Sequence, residues 1–320
     1  MKMIIFAIFF NLFKAMLFFN KRDLEKVVSY ISASKAILIG AGAGLSTSAG
    51  LDFSGERFQK YFFDFRQKYN ITDAYSGSFY PFLKKSEFWA FMSRNIYLNR
   101  FSDLPKKTYN ILYEIFKDKN YFILTTNVDH LFQKAGFDKN RLYYPQGDMG
   151  LLQCKKPCHS KNYDNYNIIK DMLIDQGFSF DSKGELIVNN KIKTEVNENL
   201  IPKCPVCGGE MDFNLRGGYN FVQDDGWYKH RKLYDDFITK YKNDEILYLE
   251  IGVGYDTPSI IKYNFLSQVN YNIKAKFISI NLEEYKVPEK IKNRSLILIG
   301  DADEIINNIY SLINENKNDL

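Results

Sequence analysis

Apolar side chains recur along most of the chain with two different periods. Between residues 23 and 33 the spacing is i, i+3, i+4 and i+7, which predicts an amphipathic helix with one buried face. The four residues with that spacing are Leu24, Val27, Val28 and Ile31. A short apolar run over 36–39 follows at once and is typical of a buried strand.

The same order of strand and helix is repeated through the chain. Predicted strands cover 36–39, 121–125, 246–251, 276–280 and 296–299. One further helix is predicted over 109–116, and another opens with Thr257 as N-cap and Pro258 at its first position. The last helix starts at Asp301, with Glu304 three residues later. Strands alternating with helices predict an α/β fold, a Rossmann-like doubly wound parallel sheet that binds a nucleotide at the carboxyl ends of its strands.

The alternation stops between about 148 and 214, where a polar stretch contains the cysteines and a predicted hairpin through 186–192. We therefore expect an inserted metal-binding module over 148–214, with the Rossmann-type nucleotide-binding domain formed by 21–147 and 215–320. Residues 1–20 form an apolar appendage or a mis-annotated start. The appendage is shorter than the ~20 apolar residues that span a bilayer, so a membrane anchor is not expected.

The net charge of the chain does not indicate a nucleic-acid partner. The 43 basic against 38 acidic residues give a net charge of +5, spread along the chain without a dense basic block. Such a weak excess does not favour nucleic-acid binding.

The four cysteines form two close pairs, Cys154 with Cys158 and Cys204 with Cys207. Two such knuckles can close a tetrahedral shell of thiolates around one zinc ion, and four protein ligands make the site structural. Four reduced surface thiols are the alternative. His159 follows Cys158 directly, and we interpret it as a bystander to the metal site. Paired thiols without a convincing export signal also favour a cytoplasmic protein.

A glycine-rich stretch ends the first predicted strand. Gly40, Gly42 and Gly44 supply backbone that can adopt positive φ and that lets a pyrophosphate approach N–H groups without a Cβ in the way. The spacing is not that of the dehydrogenase fingerprint, and no strand-end acid follows about 20 residues later. A nucleotide site and a tight strand-to-helix turn therefore both stay open on this loop alone.

Longer motifs resolve that choice through a family resemblance. The loop continues from Gly42 to Phe53 as GAGLSTSAGLDF, which resembles the sirtuin signature GAGxSxxxGIPDF without its proline and with Ser54 in place of the following arginine. Later segments resemble further sirtuin motifs in the same order. They are Thr125-Thr126-Asn127-Val128-Asp129, Gly252-Val253-Gly254, Ile280-Asn281-Leu282-Glu283 and Gly300-Asp301-Ala302.

This resemblance covers roughly residues 24–313 and implies NAD as the cofactor. The positions that it assigns to NAD binding are Gly42, Ala43, Gly44, Ser46, Gly50, Asp52, Phe53, Asn127, Gln146, Gly252, Val253, Gly254, Asn281, Glu283, Asp301 and Ala302. Arg57 is added as a substitute for the arginine missing at Ser54, with an ordinary surface charge as its alternative. The cysteines also match the family's zinc ribbon, which implies one structural zinc.

The family's catalytic histidine is replaced here by Gln146, which precedes Gly147. An amide has no titratable proton near neutral pH, so the later steps of deacylation lose their general base, a loss typically worth ~10²- to 10⁴-fold. Asn127 and Asp129 are expected to remain catalytic in cleaving the nicotinamide bond, with Gln146 positioning the ribose or the acceptor.

The same substitution resembles the sirtuin class that is genetically linked to macrodomains. That class transfers ADP-ribose to a lipoyl-bearing carrier similar to the glycine-cleavage H protein, and a macrodomain hydrolase reverses the mark. The resemblance thus implies a protein ADP-ribosyltransferase. Lysine deacylation and NAD hydrolysis or NAD sensing are the alternatives.

His130 follows Asp129 and is interpreted as a surface cap at a helix start, with a replacement base as its alternative. His230 is expected to be partly exposed. The segment 221–224 occupies the place where deacylases pair a strand with their peptide, and its altered sequence leaves that mode of binding in doubt.

Overall fold

A computed structural model describes residues 19–255, 258–284 and 286–318, so nearly all of the predicted appendage lies outside the described residues. The helices in chain order are α1 (Lys21–Ala33), α2 (Ala43–Ser48), α3 (Glu56–Tyr69), α4 (Ala74–Ser78), α5 (Lys85–Ile96), α6 (Thr108–Phe116), α7 (Leu131–Lys134), α8 (Tyr166–Asp175), α9 (Asp225–Tyr241), α10 (Lys262–Tyr271) and α11 (Ala302–Asn318). A π-helical turn, Tyr97–Phe101, continues α5, and 3-10 turns cover Lys139–Arg141, Glu198–Leu200 and Glu289–Arg294.

The strands are β1 (Ala36–Ala41), β2 (Tyr121–Thr125), β3 (Leu142–Tyr143), β4 (Gly147–Cys154), β5 (Tyr163–Asp164), β6 (Ser179–Phe180), β7 (Leu186–Ile187), β8 (Met211–Leu215), β9 (Ile246–Ile251), β10 (Lys276–Asn281) and β11 (Ser295–Ile299). Six of them form one sheet in the order β11-β10-β9-β1-β2-β3, and every pair in it is parallel. The predicted fold class and all five predicted strands of this sheet are confirmed. The sixth strand, β3, has only two residues, too few for a hydrophobic period to show.

Helices cover both faces of the sheet. In β1 the side chains of Ile37 and Ile39 pack with α1, α6 and α11, whereas those of Ala36 and Leu38 face α9 and α10. Because successive strand residues point to opposite faces, a strand buried on both sides reads as a continuous apolar run, as observed here. The carboxyl ends of these strands therefore share one edge, where the candidate site lies.

A second core lies outside the sheet. It joins residues of α3 and α5, such as Phe65 and Phe91, to residues between β4 and β8, such as Leu173 and Phe213. The predicted division at 148 and 214 stays a prediction, but the packing adds that the inserted module shares its core with the segment between Phe58 and Leu98.

Two local predictions are wrong. The hairpin turns earlier than predicted: β6 pairs with β7, and Asp181 closes the turn by accepting hydrogen bonds from the backbone N–H groups of Lys183 and Glu185. Gly184 supplies the positive φ, +84°, that this turn requires. The second error concerns α10, which begins at Lys262, because residues 258–260 form a turn first. Thr257, its predicted N-cap, lies outside the described residues.

The start of α11 is as predicted, since the Asp301 carboxylate accepts a hydrogen bond from the Glu304 N–H at 3.1 Å. Within the described ranges, no helix is long and apolar enough to cross a membrane.

Candidate active site

The glycine-rich loop leaves β1 at the carboxyl edge of the sheet and packs directly against the loop that follows β9. The Gly44 N–H donates to the Gly252 carbonyl at 2.9 Å. A Cβ on Gly42 would lie 2.6 Å from that same carbonyl oxygen. Gly42 does not use the positive φ that a glycine can adopt, because its φ is −116°. Glycine is required here because two backbones approach closely, and only Gly252 has positive φ, +60°.

Next to this loop, four polar side chains form a buried cluster. The Ser46 hydroxyl donates to Asp129 Oδ2 at 2.5 Å and lies 2.9 Å from the Tyr109 hydroxyl. Asn127 Nδ2 donates to Ser46 Oγ and to the Gly42 carbonyl, both at 3.0 Å. These hydrogen bonds hold the predicted catalytic pair, Asn127 and Asp129, against the glycine-rich loop and the helix that follows it.

Burial dominates the electrostatics of this cluster. It raises the pKa of the Asp129 carboxyl, and the hydrogen bond from Ser46 opposes that rise. It also raises the pKa of the Tyr109 hydroxyl well above its ordinary value, so that this group stays protonated. A carboxylate in such a dry place favours positive charge that develops next to it.

A cavity of about 530 Å³ opens beside the cluster. Five of the residues predicted from the motifs line it, namely Ala43, Ser46, Phe53, Asn127 and Asp129. The other walls are mostly apolar and come from α4, α5, β4 and β8; among them are Tyr75, Phe79, Phe88, Met92 and Phe213. Tyr75 and Phe79 are 66% and 73% exposed, which places apolar surface at the mouth of the cavity.

Gln146 is half-buried immediately before β4, and it is not one of the described residues that line this cavity. Its carbonyl accepts a hydrogen bond from the Arg216 N–H at 2.9 Å, and Arg216 itself lines the cavity. The N–H of Met149 donates to the Val128 carbonyl at 2.9 Å, which fixes the start of β4 against the catalytic segment.

The predicted surface role of His130 does not fit its surroundings. His130 has a left-handed backbone, φ +65°, and its Nδ1 lies 2.7 Å from Asp148 Oδ2. Arg100 Nε and the Gly150 N–H donate to the other carboxylate oxygen, at 2.6 and 2.7 Å. Burial opposes ionisation of Asp148, but the hydrogen bond from His130 and the charge of Arg100 outweigh it and lower the pKa of its carboxyl. His230 is buried as well, against the expectation of partial exposure.

The residues predicted for the distal half of the cofactor lie at the ends of β9, β10 and β11. Asn281 Nδ2 donates to the Val253 carbonyl at 2.9 Å and so ties two strand ends together. The Asp301 carboxylate accepts from the Ser48 hydroxyl at 2.8 Å. The neighbouring Ala302 is buried, whereas Gly254 and Glu283 are exposed along this edge.

The segment that follows Phe53 is arranged around Asp52. The backbone N–H of Ser54 donates to the Asp52 carboxylate at 2.8 Å and lowers its pKa. Arg57 lies apart from the 530 Å³ cavity, in a groove that it shares with Gly50 and Asp52. Its guanidinium donates to the Leu98 carbonyl, and its other terminal nitrogen is buried without a partner.

The four cysteine sulfurs converge within 4.8 Å of one another, as the sequence predicts. Two Sγ to Sγ distances, Cys154 to Cys207 and Cys158 to Cys204, are 3.7 Å. A tetrahedral shell with Zn–S bonds of ~2.3 Å has an edge of about 3.8 Å, so this donor set fits one zinc ion. His159 Nδ1 is 3.0 Å from Cys158 Sγ, while its Nε2 is engaged by the Tyr163 hydroxyl at 2.8 Å.

Several residues of the site carried no functional signal in the sequence. Tyr109 appears there only as the start of a helix, and Arg100 and Asp148 are separated by 48 positions. The segment 221–224 forms no strand; the Val222 N–H is bound by Gln153 Oε1 at 2.9 Å. Such pairings arise from tertiary contacts and have no local pattern.

The sequence of the chain is similar to those of several characterised proteins. No family model matches the chain. It is 32% identical over 286 residues to a protein ADP-ribosyltransferase of Staphylococcus aureus, an alignment that covers 89% of this chain and 86% of the relative. It is 27% identical over 248 residues to a probable bifunctional ADP-ribose hydrolase/ADP-ribosyltransferase of Fusarium oxysporum, with 75% of this chain and 39% of that longer relative covered. A third relative is an NAD-dependent protein deacylase of Candida albicans, 26% identical over 58% of this chain and 66% of its own length.

Solved structures share the fold. A structure concerned with the mechanism and regulation of Sir2 enzymes superposes with a TM-score of 0.54 at 18% identity, over 92% of this chain and 99% of that one. An NAD complex of a Sir2 homologue gives a TM-score of 0.54 at 16% identity, over 91% and 94% of the two chains.

Proposed function

The chain belongs to the family of protein ADP-ribosyltransferases and has the fold of Sir2 enzymes, and from this premise we propose that it transfers ADP-ribose from NAD to a protein, a lipoyl-bearing carrier similar to the glycine-cleavage H protein. In this reaction NAD is the substrate that donates ADP-ribose and nicotinamide leaves. One observation carries the choice of transfer over deacylation. The position that resembles the deacylase histidine holds an amide, Gln146, while Asn127 and Asp129 are both held in the buried cluster.

The buried cluster supports a role in cleaving the nicotinamide bond. As that bond breaks, positive charge develops on the ribose, and a buried carboxylate next to it lowers the barrier. We assign this role to Asp129, and to Asn127 that of orienting the ribose. Gln146 then positions the ribose or the acceptor through its amide.

The loops at the carboxyl edge of the sheet support a proposed path for NAD. We propose that the dinucleotide lies along the carboxyl edge of the sheet. Its contacts would come from Gly42, Ala43, Gly44, Ser46, Gly50, Asp52, Phe53 and Arg57, then from Gly252, Val253, Gly254, Asn281, Glu283, Asp301 and Ala302. The contact between Gly42 and Gly252 supports this, because it leaves both loops bare of side chains toward the edge.

The walls of the cavity support the carrier as the acceptor. A lipoyl arm is a long aliphatic chain, and the cavity offers apolar walls with exposed Tyr75 and Phe79 at its mouth. The acceptor segment can therefore reach the cluster while it stays in contact with apolar surface. We further propose one structural zinc on Cys154, Cys158, Cys204 and Cys207, and a macrodomain hydrolase that removes the mark.

The experiment uses the full chain with NAD labelled in its adenylate. Lipoylated carrier and the same carrier without lipoate are offered in parallel. Label retained on the lipoylated carrier, and released by a macrodomain ADP-ribose hydrolase, supports the proposal. Free ADP-ribose as the main product, or O-acyl-ADP-ribose from an acetylated peptide at a higher rate than transfer, contradicts it.

A further inference from the structure

A histidine and a buried aspartate form a pair next to the catalytic residues Asn127 and Asp129. His130 Nδ1 lies 2.7 Å from Asp148 Oδ2, and Asp148 is held from its other side by Arg100 and by the Gly150 N–H. The side chain of Asp148 is only 6% exposed, whereas that of His130 is 25% exposed. The carboxylate is therefore fixed, and the imidazole keeps a path to solvent.

This arrangement determines what the imidazole can do. A carboxylate at Nδ1 favours the tautomer with its proton on Nδ1, which leaves the Nε2 lone pair free to accept a proton. His130 is also one of two described non-glycine residues with positive φ, the other being Asn70. Such a backbone costs ~1 to 3 kcal/mol and persists only where surrounding contacts hold it. Here the Asp129 carboxylate holds it, by accepting the Leu131 N–H at 3.0 Å.

The pair adjoins the reaction site through a small cavity. His130 and Asp148 line a space of about 10 Å³ together with Asn127, Asp129 and Gly147. That volume suits about one water molecule. Asn127 and Asp129 line the large cavity as well, so a water in the small cavity would lie between His130 and residues of the catalytic cluster.

We propose that His130, positioned by Asp148, accepts the proton of the acceptor through this water and so replaces the imidazole that is missing at Gln146. The inference rests on the proposed transfer reaction. In that step a bond forms between the acceptor atom and C1′ of the nicotinamide ribose, and the bond from C1′ to the nicotinamide nitrogen breaks. Nicotinamide leaves with that electron pair as a neutral molecule. The proton of the acceptor passes by way of the water to His130 and from there to solvent, so atoms and charge balance.

Three other titratable groups lie around His130, namely Asp148, Tyr144 and Asp129. Asp148 stays ionised, because its hydrogen bond with His130 and the charge of Arg100 lower the pKa of its carboxyl despite burial. Tyr144, which also lines the small cavity, stays neutral, since burial raises its pKa to about 12. Asp129 is the remaining titratable neighbour, and burial raises the pKa of its carboxyl. A general base acts only in its unprotonated form, so the proposal predicts a rate that falls on the acid side of the pH profile, its acid limb.

The test compares variants of the full chain that differ at this position. His130→Asn keeps a donor for Asp148 and tolerates the left-handed backbone, but it cannot accept a proton near neutral pH. His130→Ala leaves space that added imidazole can fill. Asn70→Ala makes a matching change at the other positive-φ residue and controls for backbone strain. Transfer from labelled NAD to a lipoylated carrier is followed against pH, with kcat and the KM for NAD measured separately.

We expect His130→Asn to lower kcat by ~10²- to 10⁴-fold with the KM for NAD close to that of the unaltered enzyme, and to lose the acid limb. Added imidazole should restore turnover to His130→Ala and have no effect on Asn70→Ala. An unchanged kcat and acid limb in His130→Asn, or no rescue of His130→Ala, overturns the inference. Failure of the unaltered enzyme to label any carrier contradicts the proposed function instead, so the two failures are distinguishable.

Discussion

Ser46 Oγ donates a hydrogen bond of 2.5 Å to Asp129 Oδ2, across 83 positions of the chain. The bond joins the glycine-rich loop after β1 to the polar segment after β2, and both residues are buried. It offsets part of the cost of burying this carboxylate, although burial still raises the pKa of Asp129. Together with the bonds from Asn127 to Gly42 and Ser46, this contact holds the start of α2 against the segment after β2.

Asp129→Asn is therefore expected to lower kcat for ADP-ribosyl transfer by ~10²- to 10³-fold, the usual effect of removing one group that stabilises developing charge. NAD binding should be weakened far less. Steady-state kinetics with labelled NAD, with NAD affinity measured by calorimetry, separate the two effects. Asp171→Asn, an exposed position on α8, is the control. Transfer at the unaltered rate in Asp129→Asn would show that this carboxylate takes no part in the reaction.

Gly42→Ala is expected to disturb the packing of the two loops that hold NAD. Its Cβ would meet backbone atoms of Gly252 and Val253 at 2.6 and 2.8 Å, and backbone cannot move aside as a flexible side chain can. We expect a loss of ~1 to 3 kcal/mol in the free energy of unfolding and a higher KM for NAD. Gly218→Ala is the matched control, because a Cβ there meets no atom within 4 Å. Equal melting temperatures and equal KM values for the two variants would count against this account.

The sequence allowed the sheet to be predicted because each central strand is buried on both faces and so appears as an unbroken apolar run. Its motifs also identified the loop at Gly42, the pair Asn127 and Asp129, and the four cysteines, which converge as predicted. It did not reveal why glycine is needed at position 42, since the close contact with Gly252 depends on a strand 200 residues later in the chain. The pairing of His130 with Asp148 was missed for the same reason. A left-handed backbone at a histidine follows from its surroundings, and no local pattern indicates it.

Removal of the zinc is expected to destabilise the second core more than the core around the six-stranded sheet. Cys154 and Cys204 are buried in that core, with about 2% of their surface exposed. Loss of the ion would leave four thiolates or thiols crowded together without a partner charge. A strong chelator should release one zinc per chain, as measured by a colorimetric assay, and Cys204→Ser should bind less zinc than the unaltered chain. Both should make the module between β4 and β8 more sensitive to proteolysis. His159→Ala is the control and should keep its zinc, because four thiolates complete the shell. Full protease resistance after quantitative zinc loss would contradict this prediction.

Stability is expected to depend on pH through Asp148. Its pKa in the folded chain is lowered below the ordinary value of 3.8, because the hydrogen bond with His130 and the charge of Arg100 outweigh the effect of burial. A carboxyl with a depressed folded pKa contributes stability above its unfolded pKa, and that contribution is lost as pH falls through the folded value. Asp148→Asn should therefore cost ~3 kcal/mol at neutral pH, the usual cost of breaking a buried pair, and progressively less below pH ~4.

Urea unfolding of the unaltered chain and of Asp148→Asn between pH 7 and pH 3 measures this difference. Asp171→Asn again serves as the control, because its carboxyl is exposed. A difference between Asp148→Asn and the unaltered chain that stays constant across the whole range would mean that the charge of Asp148 contributes nothing to stability.

Gln146→His should restore the chemistry that the amide excludes. Gln146 is half-buried, and its backbone carbonyl accepts a hydrogen bond from the N–H of Arg216, which lines the cavity, so an imidazole there starts from a fixed backbone. If the missing base is what limits deacylation, this variant should form O-acyl-ADP-ribose from an acetylated peptide ~10²-fold faster than the unaltered enzyme, or more. The gain should follow the ionisation of an imidazole and fade as pH falls below ~6.

Gln146→Asn, which offers an amide of shorter reach, should show no gain. Mass spectrometry of the nucleotide products over a range of pH gives both rates in one assay. Deacylation that remains slow in Gln146→His at every pH would mean that the cavity excludes the acetylated peptide. The barrier to deacylation would then lie in substrate binding at the apolar walls, and the missing base would be a secondary loss.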